Sequence, residues 1–173
     1  MAILNPEHLF DQAEALVVPP PAGPPRQVNL RRAISAAYYA VFHAVLIALA
    51  DELIGKTKRN SPEYRLAYRS LNHGRLKKLC DDVRKSTPSS KVAAYAPAGG
   101  FGQEIRALAT AVMELQQKRH DADYDPRERV KTADAILAIR TGRSAVQRLA
   151  RAGEGERRRF LALLAFEPRE THP

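Results

Sequence analysis

The chain has little of what the common enzyme and membrane signatures need. Its one cysteine, Cys80, excludes an intramolecular disulfide and a cysteine-based metal cluster. Tryptophan is absent, aromatics make up only 6% of residues, and no run of β-branched residues alternates with polar ones, which argues against a sheet. There is no glycine-rich phosphate loop, no zinc-ligand spacing and no nucleophile elbow. No metal or cofactor is therefore expected. Glu7, Asp11 and Glu14 precede any apolar run, a pattern unlike a secretory signal, so a cytoplasmic protein is expected. Cys80, within Leu79-Cys80-Asp81-Asp82-Val83, fits a reducing compartment and reads as a buried, inert thiol.

What is present is alanine, leucine, arginine and glutamate, the residues of an all-α protein. A length of 173 residues suits one domain, 1–173, with its own hydrophobic core. Lys and Arg outnumber Asp and Glu by 28 to 19, a net charge of +9 that calls for an anionic partner, nucleic acid first. Ala33 to Ala50 is apolar almost throughout and approaches the length of a membrane span. Ser35, Tyr38, Tyr39 and His43 interrupt it, and much of its apolarity is alanine. The centre of a helix bundle explains it more simply, and no membrane contact is expected.

Asn5 and Pro6 open a first helix that runs to about Val18, followed by a stiff proline-rich spacer over 19–25. The core bundle is expected over about 27–152. Its second helix spans Gln27 to Ile54, and Lys56 to Pro62 is looser. Shorter helices follow over about Glu63 to Leu71 and Gly74 to Lys85, then a long loop from Ser86 to Gly100. A long helix covers Phe101 to Tyr124. Asp125-Pro126-Arg127-Glu128 reads as a cap, a first-turn proline and a capping-box glutamate, which predicts a last long helix from Pro126 to Ala152. The apolar set of that helix is Ala133, Ile136, Leu137, Ile139, Ala145, Val146 and Leu149. Residues 153–173 form a basic tail with room for one more helix over Gly155 to Phe166.

One departure from pattern marks a candidate site. Ile105, Leu108, Ala109, Val112 and Leu115 make an apolar stripe, and steps of seven from Ile105 lead to Arg119, where a leucine belongs. A charge facing a core needs partners, and Asp123 stands one turn away. Arg32, Ala36, Tyr39 and His43 share one face of the second helix, so Arg32, Tyr39 and His43 form a polar stripe that can look across at Arg119 and Asp123. The same groups also suit a purely structural network. His120, next to Arg119, titrates near neutrality and suits general acid–base work, or equally an exposed helix end. Arg127, Arg129, Lys131, Arg140, Arg143, Arg148, Arg151 and Arg157-Arg158-Arg159 are basic with few acids between them, either a solvated face or a track for a polyanion backbone. His73 reads as a turn residue at a helix start.

Arg31 to Ala44, with its Ala37-Tyr38-Tyr39-Ala40 centre, resembles the second helix of HEPN domains (the higher-eukaryote and prokaryote nucleotide-binding family). Arg119-His120-Asp121-Ala122-Asp123-Tyr124-Asp125-Pro126 resembles the Arg-x-x-Ala-Asp-Tyr end of a later helix of that family. The resemblance implies an antiparallel four- to five-helix bundle that dimerises. Active members of the family are metal-independent endoribonucleases, often toxins paired with a small nucleotidyltransferase antitoxin. Arg119 would be the phosphate-binding residue. The family's histidine follows its arginine after four to six residues. Here the fourth intervening residue is Asp123 and Tyr124, Asp125 and Pro126 follow, so Tyr124 stands where the histidine would first fall. Tyrosine is a poor base at neutral pH. The expectation is a dimeric HEPN-like protein that binds RNA, a nucleotide or a partner protein, with Arg119, Arg32, Tyr39, His43 and Asp123 at its site and Arg148 and Arg151 assisting. The alternatives are a ribonuclease toxin using Arg119 with His120 or His43, and a structural interaction module.

Overall fold

In a computed structural model, which describes residues 3–168, the protein is all-helical. Helix α1 spans Pro6–Val17, with Asn5 accepting from the Glu7 N–H as its cap and Pro6 in the first turn. Helix α2 spans Gln27–Leu53 and is central: α1, α3 (Pro62–Arg69), α6 (Gln103–Tyr124), α7 (Thr132–Arg151) and α8 (Glu154–Ala165) all pack on it. Among the described residues it is the one helix long and apolar enough to cross a membrane, and 72% of its most apolar window is covered by the rest of the protein. Its greasy circumference is thus used for packing on several sides, as a bundle centre requires.

Helix α4 (His73–Val83) lies against α6 and buries Leu76, Leu79, Cys80 and Val83. Burial pushes the Cys80 thiol well above its usual range. Residues 86–100 are not all loop. They contain the single turn α5 (Ser90–Ala93), and the buried Asp82 carboxylate anchors it by accepting from the Ser89 N–H at 2.9 Å and from the Ser89 hydroxyl.

One long helix starts later than expected. Helix α7 starts at Thr132, not Pro126. Asp125 accepts from the Arg127 N–H at 2.8 Å and so closes a turn instead of starting a helix. The chain then runs extended to Val130, whose N–H donates to Gln27 Oε1 at 3.0 Å and whose carbonyl accepts from Gln27 Nε2 at 2.8 Å. That two-bond amide clamp satisfies the backbone where helix bonds would have done so. The buried face of α7 is accordingly Ala135, Ala138, Ile139, Gly142, Ala145 and Leu149, while Ala133 and Leu137 face solvent. At the C-terminus the helix expected over Gly155 to Phe166 forms as α8, and its Phe160, Leu161, Leu163 and Leu164 are buried in the same core as Phe10 and Ala13 of α1.

Helix α1 is held from α7. Arg143 reaches Glu7 at 2.6 Å, Glu14 at 3.0 Å and Asp11 at 3.6 Å, and its guanidinium sits 4.8 Å from the centre of the Phe10 ring. Next to it, a Cβ on Gly142 would lie 2.8 Å from Phe10 Cε1, so only glycine lets α7 approach this closely.

Candidate functional site

The apolar stripe of α6 is buried from Ile105 to Leu115, and Arg119 follows it with a side chain only 15% exposed. Its partners come from two helices. Nε lies 3.0 Å from Asp123 Oδ2, an ion pair without hydrogen-bond alignment, and Nη2 donates to the Tyr39 hydroxyl at 2.9 Å. The guanidinium carbon is 5.4 Å from the Tyr39 ring centre, 5.6 Å from Tyr124 and 5.8 Å from Tyr38. Arg119 therefore sits in a cage of three tyrosine rings, each within cation–π range. Burial works against its charge, but the Tyr39 hydrogen bond and Asp123 outweigh it and hold the guanidinium pKa above its usual value.

Asp123 uses its other oxygen to accept from the Ser35 hydroxyl at 2.5 Å. Arg31, one helical turn before Ser35, donates Nε to the Ala122 carbonyl and Nη2 to the Asp125 carbonyl at 2.6 Å. Those carbonyls are orphans of the α6 C-terminus, and a cation suits the negative end of the helix. The start of α2 thus fixes the end of α6, and Arg119 with it.

Tyr39 also lines a cleft of about 540 Å³ between α1 and α2, walled by Leu9, Gln12, Leu16, Arg32, Ser35 and His43. The predicted stripe of Arg32, Tyr39 and His43 is thus brought together, and through Tyr39 and Ser35 it meets Arg119 and Asp123. Arg32 is exposed and has no acidic partner among the described residues. His43 shares a 2.6 Å hydrogen bond between Nδ1 and the Tyr68 hydroxyl of α3, and burial lowers its pKa.

His73 was missed as a site residue. It is the first residue of α4, as a turn reading implies, but its ring stacks on Phe42 at 3.9 Å and touches Tyr38 and Tyr39, centre to centre, at 5.5 and 5.7 Å. Its Nδ1 shares a 2.8 Å hydrogen bond with the Tyr38 hydroxyl. Burial, then the charge of Arg119, then His43, lower its pKa, while burial raises that of Tyr38. No local pattern announces this, because its contacts come from α2 and α6. His120, by contrast, is 64% exposed, 3.7 Å from Asp121, and meets the cage only through Tyr124, whose ring is 5.2 Å away.

Three arginines of the basic track are paired within the chain. Arg143 is held by α1, Arg148 contacts Glu104 at 3.4 Å, and Arg158 is bound by Glu52 at 2.6 Å and Glu154 at 3.2 Å. The acids are supplied by other helices, which local sequence does not reveal. Arg151 is exposed and has no partner among the described residues. Among the described residues no three His, Cys, Asp or Glu side chains gather as a metal site. Neither a known family model, nor a curated protein, nor a solved structure matches the chain.

Proposed function

We propose that the protein is a HEPN-like helical bundle that binds RNA at the α1–α2 cleft, as a cytoplasmic homodimer in a toxin–antitoxin or defence-type system. A small nucleotidyltransferase is the partner the family resemblance suggests. The observation that carries the RNA reading is the clamp of Arg119 on Tyr39. With its oxygen accepting from Arg119, Tyr39 keeps its O–H to offer a ligand in the cleft it lines, beside Arg32, which has no acidic partner among the described residues. A hydroxyl donor and a free guanidinium at one concave site suit a phosphate and the base attached to it.

A second reading, metal-independent cleavage, is favoured by His73. At neutral pH the cage puts a neutral, proton-accepting imidazole close to a permanently charged arginine. His73 would take the 2′-hydroxyl proton as that oxygen bonds to phosphorus, Arg119 would stabilise the charge of the phosphorane-like transition state, and the P–O5′ bond would break with the 5′-oxygen taking a proton from solvent.

One experiment separates the readings: a labelled single-stranded RNA followed by anisotropy and then by gel, with EDTA present. Arg32→Ala and Tyr39→Phe are each expected to weaken binding about three- to tenfold, the loss of one hydrogen bond or charge contact. Unchanged affinity in both removes the binding site from this cleft. Cleavage by the wild type that stops in both Arg119→Ala and His73→Ala establishes the nuclease; intact RNA leaves the protein a binder.

A further inference from the structure

His43 lines a second cleft as well, there together with Tyr68. This cleft, of about 470 Å³, lies between the N-terminal residues Ile3 and Leu4 and helix α3. Its size is that of a small-ligand site. The His43 and Tyr68 rings are 5.9 Å apart centre to centre, 18° from parallel, and tied by the Nδ1–hydroxyl hydrogen bond, so the pair lines the cleft as two fixed, near-parallel aromatic rings. Arg65 and Arg69, one turn apart on α3, line the cleft with no acidic partner among the described residues. Arg59 also lines it, but Asp51 neutralises it at 2.6 Å. Among the described residues, the rim is therefore positive through Arg65 and Arg69.

We infer that this cleft is a second nucleotide subsite, taking the residue next to the one in the α1–α2 cleft on the same single RNA strand. The inference rests on the RNA reading above. Aromatic rings stack an unpaired base whatever its identity, and two free arginines take the phosphates on either side of it. An acidic peptide would use the arginines but not the rings, so charge and shape together favour the nucleic acid.

The test is binding of a labelled single-stranded RNA octamer, over a salt series, to the wild type, to the double variant Arg65→Ala/Arg69→Ala and to Arg32→Ala. Both α3 arginines are exposed, so the double variant is expected to melt like the wild type. Its affinity should fall at least about tenfold, and the slope of log K on log salt should shrink by about 1.4, the loss of two single-strand phosphate contacts. Polyglutamate should compete poorly. An unchanged affinity and slope in the double variant, with Arg32→Ala still weak, overturns the subsite and leaves the RNA reading standing. Displacement by polyglutamate as effective as by unlabelled octamer overturns it in favour of an acidic protein partner. A wild type that binds no octamer at low salt removes both readings together.

Discussion

Arg119 shows how a charge comes to occupy a core position. Leaving it there unpaired would cost several kcal/mol. Asp123, the Tyr39 hydroxyl and three tyrosine faces supply the compensation, the rings at about 0.5–2 kcal/mol each. The pairing with Asp123 was legible because both residues lie on one helix at a fixed spacing, and the Arg32–Tyr39–His43 stripe was legible for the same reason. His73 was not, since every group that defines its environment belongs to another helix. It yields a pH prediction. In the folded protein burial, Arg119 and His43 lower its pKa below the usual 6.5, so the unfolded chain binds the proton better. The stability due to neutral His73 is then complete above about pH 7 and is lost as pH falls through the unfolded value toward the folded one. Urea denaturation at pH 7.5, 6.5 and 5.5 should show falling stability, and His73→Gln should flatten that fall, leaving the share of His43, which is shifted the same way. A slope unchanged by His73→Gln means the ring titrates as freely folded as unfolded.

At the scale of elements, α1, α2 and α6 lie close to their expected bounds, α1 with its Asn5 cap and α6 with its apolar stripe buried. Helix α7 does not, and the reason is competition. Asp125, Pro126 and Glu128 have the chemistry of a helix start, but Asp125 closes a local turn and Gln27, a hundred residues upstream, takes both polar groups of Val130. Long-range hydrogen bonds outweighed a local signal worth about 1 kcal/mol. The junction of α1 with α7 is just as sensitive. Gly142→Ala would force its methyl against Phe10 and toward the Ala37 carbonyl, 3.3 Å away. Overpacking of this kind costs about 1–3 kcal/mol, felt mainly by α1. Limited proteolysis should therefore cut the Pro19–Pro25 spacer of Gly142→Ala faster than that of the wild type; equal rates mean that α1 shifts without loosening.

For the molecule as a whole, the all-helical class was readable from composition and periodicity, because both are local properties summed along the chain. The role of the last segment was not. A helix in a basic, leucine-containing tail was legible there, but not its place in the core: Phe160, Leu161, Leu163 and Leu164 are no more than 7% exposed. Burial of each contributes about 1.5–3 kcal/mol, and together they rival the 5–15 kcal/mol that typically separates a folded domain from its unfolded chain. A chain ending at Ala152 should lose its single cooperative thermal transition in circular dichroism. Retention of a sharp transition would mean that α1 to α7 fold without α8. The net charge reads differently too: Arg143, Arg148 and Arg158, counted toward a nucleic-acid partner, serve as cross-links between helices, while Arg32 on α2, Arg65 and Arg69 on α3 and Arg140 and Arg151 on α7 have no acidic partner among the described residues.

The contact between Arg119 and Tyr39 joins residues 80 positions apart, and His73 enters from a third helix between them. The site is therefore not portable. A peptide carrying the Arg-His-Asp-Ala-Asp-Tyr segment would hold none of the tyrosine faces of α2, and a design that borrows this chemistry has to transplant three helices with their relative tilt intact.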